Sequence, residues 1–233
     1  DGQGARELVT KSRWSRYTPQ VREAVVATLV TKAEAARELL GAVEAGVVRA
    51  ADLSSTRRTQ LLKHADASVR TRAETLLRSL EEGDRMAVYR GLRAGLAVEG
   101  DVEKGRALFG QVCAACHTYA GVGGRVGPDL SGVKRQPADA LLLHIVVPNY
   151  EVLPAYQAVE VTLAGGRVAT GWVVAETDSA VTLRTPAGVD ETVLRAEIAR
   201  SSTSGLSLMP DGLEQAMPGR GIYDVVAYLK SGR

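Results

Sequence analysis

The sequence predicts an α+β chain in which a helical N-terminal region is followed by a second helical domain, and that domain is interrupted by a small antiparallel β barrel or sheet. Three observations predict it. The apolar spacing is helical up to about residue 98, changes to a period of two between Tyr156 and Ile198, and is helical again from Ile222 to Leu229. At 233 residues the chain is long enough for more than one core.

The N-terminal region is rich in Ala, Leu, Glu and Arg and nearly free of aromatics. Thr18-Pro19 is an N-cap followed by proline at the first helical position, and Val21, Val25 and Leu29 follow at helical spacing. A second copy of the pattern, Asp66, Val69, Arg70, Ala73 and Leu77, sets Val69-Arg70 against Val21-Arg22. The offset of roughly 48 residues is near the period of HEAT-like helical repeats. Such pairs stack in one dimension and scaffold or bind partners; a plain helical bundle would carry the same pattern. Asp101 then caps a helix running from Val102 to Phe109, with an acidic first turn.

In the β region Val159, Val161 and Leu163 alternate, Gly165-Gly166 turns the chain, and Val168, Thr170, Trp172 and Val174 continue. Val181-Thr182-Leu183-Arg184 and Thr192-Val193-Leu194-Arg195 supply further strands on either side of Pro186-Ala187-Gly188. The expected division is 1–98 for the HEAT-like helices, 99–152 with 204–233 for the second helical domain, and 153–203 for the inserted β module. Insertion is tolerable because each doubling of a surface loop costs only about 0.6 kcal/mol in closure entropy.

The chemistry is concentrated in Cys113-Ala114-Ala115-Cys116-His117. This is the spacing of covalent haem c attachment: two thiols add across two vinyl groups, and the next residue gives a ring nitrogen to iron. A thioredoxin-like pair would sit in a βαβ unit, which does not surround it. A structural zinc site would need a second ligand cluster, whereas Cys113 and Cys116 are the only cysteines and His64 and His144 are distant in sequence. A lone disulfide would close too small a loop to stabilise much. One haem c is therefore expected, with Leu108 and Phe109 as the apolar residues packing on it.

The run from Gly121 to Leu130 reads as a flexible loop ending on the rigid Pro128, and it lacks the strand, lysine and Ser/Thr of a phosphate cradle. The candidates for a sixth iron ligand are Met86, Met209, Met217, His64 and His144. Met209, in the turn-forming Ser207-Leu208-Met209-Pro210-Asp211-Gly212-Leu213, is the assignment and His144 the alternative. Met217 shares a helical face with Leu213 and reads as core. His/Met coordination fills both axial positions and raises the potential, which favours electron transfer over oxygen or peroxide chemistry.

Gly127-Pro128-Asp129-Leu130 resembles the corresponding segment of class I cytochromes c. That resemblance implies a carbonyl acceptor at Pro128 for the His117 ring N–H, and it adds Pro128 and Leu130 to the cofactor-binding set. The arrangement as a whole resembles the haem-binding domain typical of Planctomycetes and Verrucomicrobia. It carries a HEAT-like region, the Cys-x-x-Cys-His motif, Gly-Pro-Asp-Leu, a Leu-rich helix ending near Pro148-Asn149, a β stretch with Gly-Arg-Val-x-x-Gly, and Ser-Leu-Met-Pro-Asp-Gly-Leu. In that family the region commonly closes secreted dehydrogenase-like proteins that begin with a β-propeller, and no propeller repeat occurs in this sequence. The resemblance implies a cytochrome module that takes electrons from a dehydrogenase donor and passes them to a downstream acceptor, without being an enzyme itself.

The remaining expectations are exclusions. A net charge of +2 and the lack of an aromatic-interleaved basic patch argue against nucleic acid. No run of about twenty apolar residues is present to span a membrane. The start, Asp1-Gly2-Gln3-Gly4-Ala5-Arg6, has no signal-peptide character. Because haem c is attached after export, a cleaved leader or a longer parent polypeptide is expected, with a periplasmic or otherwise exported location. The alternative function is a haem enzyme or gas or redox sensor with an open sixth iron position.

Overall fold

The computed structural model describes residues 2–78 and 83–232. In chain order the helices are α1 (Gly2–Leu8), α2 (Lys11–Trp14), α3 (Pro19–Leu29), α4 (Ala33–Glu44), α5 (Ser55–Leu62), α6 (Ala67–Leu77), α7 (Asp84–Arg93), α8 (Val102–Val112), α9 (Ala138–Val146) and α10 (Gly221–Ser231). The strands are β1 (Thr118–Tyr119), β2 (Val122–Gly123), β3 (Gln157–Leu163), β4 (Val168–Glu176), β5 (Ala180–Arg184), β6 (Asp190–Leu194) and β7 (Ile198–Ser207). Mixed helix and sheet agree with the α+β class. The chain divides into two units, one of residues 1–82, 151–184 and 190–206, the other of 83–150, 185–189 and 207–233.

In the first unit, the Thr18 hydroxyl accepts from Val21 N and Pro19 opens α3. The Asp66 carboxylate accepts from Ser68 N and Val69 N at the start of α6. Both helices have 11 residues and their bounds and caps are displaced by 48 residues throughout. Burial does not follow the same register: Val21 is 41% exposed and Val69 is 0% exposed. Arg22 is buried instead, donating to Trp14 O at 3.2 and 2.9 Å, and Val26 takes the core position. The correspondence thus extends to helix bounds and not to the face each helix buries. Leu39, Leu40, Leu53 and Leu61 are fully buried around Val26, and each such side chain contributes about 1.5–3 kcal/mol.

The sheet of this unit has the order β6-β5-β4-β3-β7, with β3–β4, β4–β5 and β5–β6 antiparallel. Val159, Val161 and Leu163 point into its core as the alternation predicts. On β4 the expected phase is wrong. Ala169 and Val173 enter the core, while Val168 is 52% exposed. A Cβ at Gly171 would lie 2.3 Å from Arg184 O, so the small-residue side of β4 turns inward against β5. Trp172 is buried elsewhere, with its ring 4.7 Å from that of Tyr156. The strand β7 was missed because its Ser-rich sequence lacks alternation; it joins the sheet beside β3.

The second unit is built on α7 to α10. Helix α7, expected with the N-terminal region ending at residue 98, belongs here, because Met86 and Tyr89 are buried in a core with Leu142, Val146, Met217 and Val225. Asp101 caps α8 by accepting from Glu103 N and Lys104 N at 3.0 and 3.1 Å. Its own N–H donates to Asp224 Oδ1 at 2.8 Å, tying α8 to α10. The two helices are in backbone contact at Gly105, where a Cβ would lie 1.9 Å from Asp224 O. Among the described residues no helix is long and apolar enough to cross a membrane.

Candidate haem attachment site

Helix α8 ends where the motif begins. Cys113 N and Ala114 N both donate to Phe109 O at 2.9 Å, and Cys113 O then accepts from Cys116 N at 3.1 Å and His117 N at 2.9 Å. The motif is therefore a compact turn whose two thiols are free and half-buried. Burial, reinforced by the neighbouring Cys116, pushes the Cys113 thiol up to about 11. At neutral pH it is a protonated thiol, unlike the low-pKa thiolate of a redox Cys-x-x-Cys pair.

The glycine-rich segment after the motif is held in place, in contrast to the flexible loop expected. Gly124 N donates to Ala114 O at 2.7 Å, Gly127 N to Cys116 O at 2.7 Å and Leu130 N to Thr118 O at 2.8 Å. The Thr118 hydroxyl adds a bond to Gly124 O at 2.7 Å. The glycines are required by this close wrapping. At Gly123, where φ is +118°, a Cβ would meet His117 O at 2.1 Å; at Gly124 it would meet Ala115 O at 2.2 Å.

His117 is fixed on two sides. Its Nδ1–H donates to Pro128 O at 2.9 Å, which sets the tautomer and leaves Nε2 with its lone pair. Gly127 lies against the ring, where a Cβ would be 2.5 Å from Cε1. Burial lowers the pKa of the imidazole, partly opposed by the Pro128 bond, so the neutral, ligating form is favoured. Among the described residues no three His, Cys, Asp or Glu side chains converge on a metal-sized point. Two free thiols and one oriented imidazole, with no further ligand cluster among the described residues, fit a haem better than a zinc ion.

The other predicted residues are placed as follows. Leu130 is half-buried at the end of the same loop. Phe109 is buried with its ring 5.7 Å from Tyr119 and 5.6 Å from Tyr228, in an aromatic cluster of the core. Met209 is half-buried in the bend after β7, in the same unit, with its N–H donating to Ser207 Oγ at 3.0 Å. Met86 and Met217 are buried core residues. His64 lies in the first unit, where its Nδ1 accepts from Asp66 N, and His144 is half-buried in the last turn of α9.

Sequence reasoning missed Tyr119, whose hydroxyl donates toward Tyr228 O and Leu229 O, both at 3.1 Å, and accepts from Gly232 N. This joins the residue two past His117 to the end of α10. An aromatic just after the motif, matched by another in the last helix, was the available signal.

Comparisons with known proteins point to the same cofactor. Residues 100–161 match the family model described as cytochrome C oxidase, cbb3-type, subunit III. A cytochrome c-553-like protein of Synechocystis sp. is 40% identical over 70 residues, covering 27% of this chain and 66% of that protein. A cytochrome c of Arabidopsis thaliana is 46% identical over 41 residues, covering 17% of this chain and 37% of that protein. The chain spans less than two thirds of the length of these relatives. The match begins beside the cap of α8 and contains the thiols, the imidazole and its acceptor, so this region carries a c-type cytochrome domain whose cofactor is covalently bound haem c.

Proposed function

We propose that this chain is an electron carrier with His/Met axial ligation, receiving electrons from a dehydrogenase and delivering them to a downstream acceptor in an exported compartment. Haem c supplies reversible one-electron chemistry at its iron. Cys113 and Cys116 would hold the group covalently, His117 would ligate through Nε2, and Met209 would be the sixth ligand. The observation that carries the reading is the His117 Nδ1–Pro128 O bond beside two free thiols. It pre-orients the imidazole, so little rearrangement accompanies a change of charge at the metal. Resemblance to the haem domain of Planctomycetes and Verrucomicrobia supports the dehydrogenase partner and the reading of 99–152 with 204–233, to which α7 is added, as one haem domain carrying the insert 153–203.

Visible spectra of the oxidised and reduced protein test the ligation. A weak far-red sulfur-to-iron band with sharp low-spin reduced peaks is expected; a high-spin spectrum would favour an enzyme or sensor with an open sixth position. Met209→Ala is expected to abolish that band, lower the potential and admit carbon monoxide, while covalent haem content stays the same. Retention of band and potential in this variant would rule out Met209 as the ligand.

A further inference from the structure

The Met209 bend is tied down on both sides to one place, the end of α9. On its N-terminal side Ser207 N donates to Asn149 Oδ1 at 2.9 Å, and Ser207 Oγ accepts from Met209 N at 3.0 Å. On its C-terminal side Glu214 Oε2 accepts from Arg85 Nη2 at 2.6 Å. The same guanidinium donates to Val146 O through Nε at 3.0 Å and Nη2 at 2.8 Å. Val146 is the last residue of α9 and Asn149 follows it by three positions, so the segment from Ser207 to Glu214 is held at each end against the same stretch of chain.

We propose that Arg85 and Asn149 are positioning residues that keep the Met209 bend closed and thereby control the sixth iron position; this rests on Met209 being the ligand. Neither residue belongs to the haem motif, and Arg85 comes from α7, outside the matched residues 100–161. The chemistry suits the task. The Glu214 carboxylate is 11% exposed and Arg85 is 25% exposed, so the ion pair is partly withdrawn from water and charge-assisted. A cation on the terminal carbonyl of α9 is also favoured by the helix dipole. Hydrogen bonding and the charge of Arg85 bring Glu214 below its usual carboxylate range even though burial acts in the opposite direction, and Asp211, between Met209 and Glu214, also favours the Arg85 charge.

Carbon monoxide competes for the sixth position only when the bend is open, so its apparent affinity for the ferrous protein reports the open fraction. In the haem-loaded protein, Arg85→Gln and Asn149→Ala are each expected to raise that affinity about tenfold, the effect of losing one charge-assisted or well-aligned hydrogen bond. The far-red sulfur band should weaken and the potential should fall, with covalent haem content and helical circular dichroism retained. Arg85→Lys, which keeps the charge toward Glu214, is expected to lie between the wild type and Arg85→Gln. Should Arg85→Gln fail to accumulate, Asn149→Ala decides alone, since it removes no buried charge partner. If the wild type shows the band and Met209→Ala loses it, but band, potential and carbon monoxide affinity are unchanged in Asn149→Ala and Arg85→Gln, the positioning role is overturned while the ligand assignment survives. If Met209→Ala itself changes nothing, the ligand assignment fails and this proposal fails with it.

Discussion

Gly105→Ala is expected to destabilise the haem-loaded protein by about 2 kcal/mol or more, whereas Gly110→Ala in the same helix is expected to stabilise it by about 0.5–1 kcal/mol. Alanine is the better helix former at both positions, so intrinsic propensity predicts the same sign for both. Packing separates them. A Cβ at Gly105 would lie 1.9 Å from Asp224 O, 2.4 Å from its carbonyl carbon and 2.9 Å from Tyr228 Cβ, all belonging to α10. At Gly110 nothing lies within 4 Å. Moving α10 to make room would disturb the Asp101 N–Asp224 Oδ1 bond and the Phe109–Tyr228 contact together. Urea unfolding of the two variants, followed by haem absorbance and circular dichroism, gives the comparison; equal signs would refute the backbone contact between α8 and α10.

The second large effect is expected from Gly127→Ala. The added methyl would sit 2.5 Å from Cε1, 2.8 Å from Nδ1 and 3.0 Å from Nε2 of His117, over the ring. Backbone escape is restrained because Gly127 N donates to Cys116 O at 2.7 Å. The ring must therefore tilt, at the expense of its 2.9 Å bond to Pro128 O. Changes to the partner that orients a metal-binding histidine commonly weaken metal affinity by about 10–100-fold. In this variant covalent haem content should be retained through Cys113 and Cys116, while the potential shifts and a high-spin fraction appears in the ferric spectrum. Resonance Raman of the iron–histidine stretch in the ferrous carbon monoxide-photolysed protein would register the tilt; an unchanged frequency and potential would show that the loop yields instead of the ring.

The haem c cofactor was legible because covalent attachment demands particular residues at a short spacing, and such a requirement is written locally. The same holds for the caps at Thr18, Asp66 and Asp101, where one side-chain oxygen serves N–H groups two or three residues away. Legibility fell where the deciding neighbour is remote in sequence. The phase of β4 depended on Ala169 and Val173 packing with Val161 and Leu183 of the neighbouring strands, and the placement of α7 depended on Met86 and Tyr89 finding a core completed by α9 and α10. Nothing in the alternation of β4 or in the amphipathicity of α7 specifies which partner covers the apolar side.

The sequence by itself therefore determined the α+β class and the haem c cofactor, and it named Cys113, Cys116 and His117 as the residues proposed to hold that group, because each follows from residue type and near-neighbour spacing. Tertiary structure alone decided that the loop from Gly121 to Leu130 is clamped to the motif, that Gly105 admits α10, and that Arg85 and Asn149 bond to Glu214 and Ser207 on either side of Met209. These depend on backbone approaches and hydrogen bonds between segments as far as 129 residues apart, and such pairings are set by the packed core as a whole.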